Sequence, residues 1–200
     1  MPNVFLINAH QPYPFSEGRL NQTLIDMARE HLESNGYSTT LTTMTDDWDA
    51  DAEISKHQAA DVVLLQTPVN WMGVPWLFKK YMDLIYTAGM DGRLCAGDGR
   101  SRNDPDRQYG TGGTLSSKQY MISLTFNAPA NAFDDQNQYL FKGGSIDDLF
   151  APMHHNFAFF GMSPLPSFAC YDVLKNPQID NDLSRWTAHL AEHFPAQEAL

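Results

Sequence analysis

Two short runs of consecutive apolar residues restrict the fold more than any other feature: NVFLIN at 3–8 and VVLLQ at 62–66. Each is too short for an average helix and neither alternates polar with apolar. Such runs bury both faces, as strands do in a parallel sheet covered on both sides. Between them Leu20, Leu24, Ile25, Met27, Ala28 and Leu32 recur at helical spacing, and Gly36 is a natural stop. The same alternation continues along the chain. YSTTLTTM reads as a half-buried strand, 50–59 as a short helix, and PWLFKKYMDLIY as a helix with Pro75 in its first turn. KQYMISLTFN is a further strand. SIDDLFAPMHHNFAFFG starts helical and breaks at Pro152, PSFACYDVL is the last strand, and IDNDLSRWTAHLAEHF closes as an amphipathic helix.

Strands alternating with helices predict one domain over 1–200. Its fold class is α/β: a flavodoxin-like three-layer fold with a five-stranded parallel sheet, order 2-1-3-4-5, and helices on both faces. A hydrophobic content of 42% excludes a disordered chain. A net charge of −11 repels a phosphate backbone, so no nucleic acid is expected as partner. No apolar run has the length of a membrane span. The first residues lack a basic segment and a cleavage site, and Cys95 and Cys170 form no pair motif. A cytoplasmic protein is therefore expected. The acidic cluster at 46–53 lacks the glycine and the terminal glutamate of a calcium loop.

Ligands of such sheets bind beyond the carboxyl ends of the strands. That rule gathers His10–Asn21, Pro68–Pro75 and Thr125–Pro129 on one rim. The first loop runs Ser16, Glu17, Gly18, Arg19, Leu20, Asn21, Gln22, Thr23 into a helix. Its N–H groups attract anions and its hydroxyls can bond phosphate; the alternative is an ordinary helix capped by Ser16. In the second loop Gly73 allows close backbone approach, while Trp71 and Met72 offer apolar contact to a flat heterocycle. Exposed backbone N–H groups here can face the polar edge of such a heterocycle. In the third, Asn127 brings a donor and an acceptor beside Phe126. The polar stretch 89–113 carries Arg93, Arg100, Arg102 and Arg107 among aspartates, suited either to phosphate or to mutual ion pairs. His189 and His193 match H-x-x-E-H, but no third ligand follows, so no metal is expected.

The combined motifs resemble the modulator-of-drug-activity-B type of NADPH:quinone reductase within the flavodoxin-like diaphorase group. The resemblance rests on the Ser16–Thr23 loop, on P-x-x-W-M-G-x-P-W-x-x-K-K-Y at 68–81, on D-G-R-x-R at 98–102, and on Y-G-x-G-G at 109–113. S-L-T-x-N-A-P at 123–129 and G-M-x-P-L-P at 161–166 complete it. It implies non-covalent FAD, NADPH or NADH as co-substrate, a quinone or similar flat acceptor, and a homodimer with flavin near the interface. It implies flavin contacts at Ser16 through Thr23, at Val69, Asn70, Trp71 and Met72, at Tyr109, and at Thr125, Phe126, Asn127 and Ala128. It also implies that backbone N–H groups near Asn70 and Met72 stabilise negative charge on reduced flavin. Tyr109 and His154 are the candidates for shaping the substrate face or supplying a proton. Val69 and Asn70 depart from the family, where glycine and tryptophan can stand. Two rival functions are a flavoprotein regulatory subunit of a membrane transport system and a flavin-free hydrolase around His189 and His193.

Overall fold

The structure, a computed structural model, describes residues 1–197. In chain order it contains β1 (Asn3–Asn8), α1 (Arg19–Ser34), β2 (Ser38–Thr43), α2 (Ala50–Ala59), β3 (Val62–Pro68) and α3 (Trp76–Ala88). Then come β4 (Gln119–Thr125), α4 (Ile146–Leu149), α5 (Ala151–Phe159), β5 (Ser163–Pro164), β6 (Phe168–Cys170) and α6 (Ile179–His193). The sheet is parallel throughout, ordered β2-β1-β3-β4, with β5 and β6 both on the outer edge of β4.

The fifth position therefore holds two short strands where the sequence predicts one. β5 pairs with Gln119 and Tyr120, and β6 with Ser123 to Thr125. Pro164 ends β5 and Pro166 lies in the gap, and a residue without an N–H cannot extend a ladder. Two other boundaries move. Pro75 precedes α3 as its cap residue, with ψ 147°. The break at 146–159 falls at Phe150, and Pro152 stands in the first turn of α5, where its missing N–H costs no hydrogen bond.

The period of two along each strand divides the interior. Phe5, Ile7, Val63, Leu65, Ile122 and Leu124 pack against Phe78, Tyr81 and Ile85 of α3 and Phe157 of α5. Val4, Leu6, Leu64 and Met121 pack on the other face against Leu24 and Ile25 of α1 and Trp186 and Leu190 of α6. Trp186 Nε1 donates to the Leu24 carbonyl at 3.0 Å and ties the two helices together. Burial of both strand faces is what makes the apolar runs continuous.

The 89–113 stretch is built from paired turns. Ala96 N–H donates to Gly112 O at 2.8 Å and Gly110 N–H to Asp98 O at 2.8 Å. Arg93 lies between Asp91 and Asp51, and Arg100 pairs with Asp98. Mutual ion pairing, rather than a convergent phosphate clamp, is what these two arginines do.

Candidate functional site at the carboxyl rim

Asn8, Gln66 and Ser123 stand in register across β1, β3 and β4, on the α1 face just below the strand ends. Apolar packing gives way here to a buried polar row. Gln66 Nε2 donates to Asn21 Oδ1 at 2.9 Å, Thr125 Oγ1 donates to the same oxygen at 3.3 Å, and Asn8 Nδ2 donates to Gln22 Oε1 at 3.1 Å. These bonds fix the first turn of α1 over the sheet. Gln66 Oε1 and Ser123 Oγ are buried with no protein partner, which marks the row as incomplete by itself.

Above the row lies a cavity of about 650 Å³. His10, the Ser16–Asn21 loop, Thr23, Val69, Asn70, Thr125 and Asn127 line one part; Val173, Leu174, Pro177, Ile179 and Leu183 form an apolar extension. The start of α1 faces it. Gly18 takes φ 83°, and no side chain caps the helix, so Ser16 is not its cap. The N–H groups of Arg19, Leu20 and Asn21, which a helix cannot satisfy internally, find no acceptor among the described residues. A Cβ on Gly18 would lie 2.2 Å from His10 Nδ1. The backbone conformation and the packing of the imidazole both require glycine here. His10 is 8% exposed and its Nε2 has no partner. Burial lowers its pKa, with hydrogen bonding to the Ser16 backbone acting the other way. A neutral imidazole, three free N–H groups and no first-turn acid make a setting for an anion.

The second loop folds differently from its sequence reading. Asn70 and Gly73 exchange backbone hydrogen bonds of 2.8 and 3.1 Å around a two-residue turn. The left-handed residues are Trp71 (φ 49°) and Met72 (φ 65°), and Gly73 is not among them. Such a turn presents Trp71 98% exposed. That conformation is unfavourable for side chains of this kind and marks a constrained position. The Asn70 N–H is spent inside the turn, so only those of Trp71 and Met72 remain for a ligand. No atom lies within 4 Å of a Cβ built on Gly73, which leaves the open space that the expected close approach requires. Asn70 Nδ2 donates to Tyr13 Oη at 3.2 Å and joins the first and second loops.

The remaining expected residues divide. Glu17 and Arg19 pair with each other in solvent at 3.2 Å. Thr23 lines the cavity, but its hydroxyl donates to Arg19 O at 3.0 Å and is not free for phosphate. Gln22 turns its amide to Asp26. Phe126 is buried, stacked on Tyr171 and edge-on to Phe133, and Ala128 packs on the same core. Met72 is exposed beyond the cavity. Tyr109 and His154 lie outside it altogether. Tyr109 is 68% exposed beside Phe159 and Arg100. His154 bridges Tyr120 Oη at 2.8 Å and Asp147 Oδ1 at 3.1 Å, near the amino end of β4. Within one chain neither reaches the cavity. His189 Nε2 faces the Pro166 carbonyl, and no cluster of three metal-ligating groups occurs among the described residues.

Sequence reasoning passed over His10, Gln66 and the 173–183 wall as site residues. The first two carried a signal: polar residues at the carboxyl ends of apolar strands. The wall carried none, because its approach to the first loop is set by the docking of α6 on α1.

Comparison with known proteins agrees with the fold. The model of the flavodoxin-like fold family matches residues 2–193. The NADPH:quinone oxidoreductase MdaB of Haemophilus influenzae is 39% identical over 192 residues, 96% of this chain and 99% of that protein. A solved structure from Klebsiella pneumoniae, described as a quinone reductase, superposes with a TM-score of 0.74 at 25% identity. It covers 96% of this chain and 83% of the other. General stress protein 14 of Treponema denticola, solved in complex with FMN, shares the fold with a TM-score of 0.65 at 16% identity, covering 96% and 99% of the two chains.

Proposed function

The chain belongs to the flavodoxin-like family together with MdaB, and from that membership we propose that it is a flavin-dependent NAD(P)H:quinone oxidoreductase with FAD as its flavin. The observation that carries the proposal is the uncapped start of α1 at a cavity wall, beside a buried imidazole without a partner. Free N–H groups at a helix start suit a phosphate. The rim toward Val69, Asn70 and Asn127 suits a flat heterocycle, with the amide of Asn127 bringing a donor and an acceptor to its polar edge. FAD is favoured over FMN because the cavity continues past the phosphate position to the apolar wall of Val173, Leu174, Pro177, Ile179 and Leu183, which would otherwise have nothing to hold.

When bound, the flavin supplies two-electron chemistry: NADPH or NADH gives it a hydride, and that hydride with a proton from solvent reduces a quinone to hydroquinone. This chain's residues hold the flavin: the α1 start binds the phosphates, and Asn21 and Gln66 fix that helix on the sheet. Tyr109 and His154 belong to this scheme only if a second copy brings them over the ring. A homodimer is consistent with the exposure of Phe15, Trp71, Trp76 and Leu84 around one hollow.

The test is to purify the protein, release its chromophore by heat, identify it, and assay NADPH oxidation with a quinone. FAD at one per chain with quinone turnover is expected. FMN alone would overturn the choice of flavin. A colourless protein that refuses both flavins would overturn the function. Sedimentation at micromolar concentration tests the dimer.

A further inference from the structure

Helix α6 meets the cavity with Ile179 and Leu183 and then runs away from it. Its last residue, His193, lies about 15 Å beyond Leu183 along the axis. His189 and His193 stand one helical turn apart, so both rings lie on one face of that far end. The function proposed above makes no use of them.

Three contacts fix the His189 ring. It stacks on Trp186 with centroids 5.9 Å apart and meets Phe168 of β6 at 5.5 Å. Its Nε2 lies 3.1 Å from the carbonyl oxygen of Pro166, between β5 and β6. A carbonyl only accepts, so Nε2 carries the proton and Nδ1 keeps its lone pair. Ligating histidines are oriented in this way, through an N–H donated by the nitrogen that does not bind the metal. Burial, with His193 and Arg185 nearby, lowers the pKa of His189, while the Pro166 carbonyl and Glu192 act the other way. The neutral ring is the ligating form.

The rings of His189 and His193 have centroids 4.5 Å apart and planes at 71°. Two imidazoles sharing one ion at about 2 Å per nitrogen have centroids about 4.5–5 Å apart, for angles at the ion between square and tetrahedral. The pair already has that separation. Charge favours a cation too. The end of a helix attracts one, Glu192 acts on His189, and the chain carries −11. Arg185, one turn before His189, is engaged by Asp182 Oδ1 at 2.7 Å and the Ala169 carbonyl at 3.0 Å.

We propose that His189 Nδ1 and a ring nitrogen of His193 bind a divalent transition-metal ion of the imidazole-seeking class, zinc, nickel or copper(II), at the carboxyl end of α6. Two protein ligands leave the remaining positions to water, so the site is open and the ion exchangeable. It is a two-ligand site, not the three-ligand hydrolytic centre that the H-x-x-E-H pattern would need. The ion joins residues one turn apart and holds the last turn of α6 against fraying.

The test is calorimetric titration of zinc into the untagged chain as purified and into its His189→Gln, His193→Gln and doubly substituted forms. Magnesium, which seeks oxygen ligands, is the control. One zinc per chain is expected, and each single substitution should weaken binding at least about ten-fold. Zinc should also raise the urea midpoint of the parent and leave that of the double variant unmoved. Equal affinity in parent and double variant overturns the proposal. So does no uptake at millimolar zinc, or equal uptake of magnesium. A loss in His155→Gln as large as that in His193→Gln also overturns it, because the ion then sits at the other pair of histidines. If His189→Gln does not fold, having lost its bond to Pro166, the comparison of His193→Gln with the parent decides.

Discussion

Two helix starts stand on the same rim and differ in whether a side chain from a neighbouring loop reaches them. At α3, Gln11 reaches over from the first loop, and its Oε1 accepts the Leu77 N–H at 3.1 Å. At α1 no side chain arrives, and Gly18 turns left-handed under the His10 ring. The α3 start thus has one donor met by the protein, while its Trp76 and Phe78 N–H groups find no acceptor among the described residues. The α1 start is left with free donors in a cavity wall, a local cost in the empty chain that a bound anion would offset. Flanking chemistry follows the same division. Gln11 and Pro75 are buried around α3, whereas the polar row beneath α1 keeps unpaired atoms on Gln66 and Ser123.

The strongest way to break this contrast is to fill the open start. Gly18→Val puts a branched side chain at φ 83° and against the His10 ring. A loss of about 2–4 kcal/mol in urea unfolding is expected, with flavin affinity at least about 100-fold weaker by fluorescence titration. Wild-type affinity in a folded variant would remove α1 from the site. Arg19→Glu sharpens the contrast by placing an acid where an anion should bind. Flavin affinity should fall about ten-fold while unfolding of the empty protein shifts by no more than about 0.5 kcal/mol, because a gain from the helix dipole offsets the lost pair with Glu17. Gln11→Ala removes the side chain that reaches the α3 start. It should cost about 1 kcal/mol and leave flavin stoichiometry intact, the reverse of the Gly18 result.

The smallest effect is on pH dependence. Burial lowers the folded-state pKa of His10, so as pH falls below about 6.5 the unfolded chain takes up the proton first. Stability therefore declines with acid in that window. His57, pushed down to about 3 by burial and by Lys56 nearby, adds a slope of the same sign over roughly pH 6.5 to 3. Subtracting the pH profile of His10→Gln from that of the parent cancels the His57 part. The remaining difference should be under about 1.4 kcal/mol per pH unit and positive with rising pH. The amide cap at α3 does not titrate and contributes nothing.

Much of the fold was legible because burial writes itself into sequence spacing. The apolar runs at 3–8 and 62–66 became β1 and β3, and the helical spacing of Leu24, Ile25, Ala28 and Leu32 became the buried stripe of α1. Short elements were less legible. The β5–β6 division depends on where β4 offers free hydrogen-bonding groups to a proline-broken segment. The site was legible as three loops on one rim. Individual roles were less so: of the two readings of Ser16 the structure removes the helix cap, Gly73 has the open space that close approach needs while the left-handed turn falls on Trp71 and Met72, and the Thr23 hydroxyl is bonded within its helix.

By itself the sequence determined the order of elements, the parallel covered sheet and the rim on which a ligand would lie, since all three follow from local periodicity and chain connectivity. Only the tertiary structure decided which polar atoms on that rim remain free. Whether an N–H or a side-chain oxygen has a partner depends on residues distant in the chain: Gln11 on Leu77, Asn21 on Gln66, Asn70 on Tyr13. Hydrogen bonds are directional and fail within a fraction of an ångström. The free donors of α1 and the solitary nitrogen of His10 therefore appear only once the packing of every neighbour is fixed.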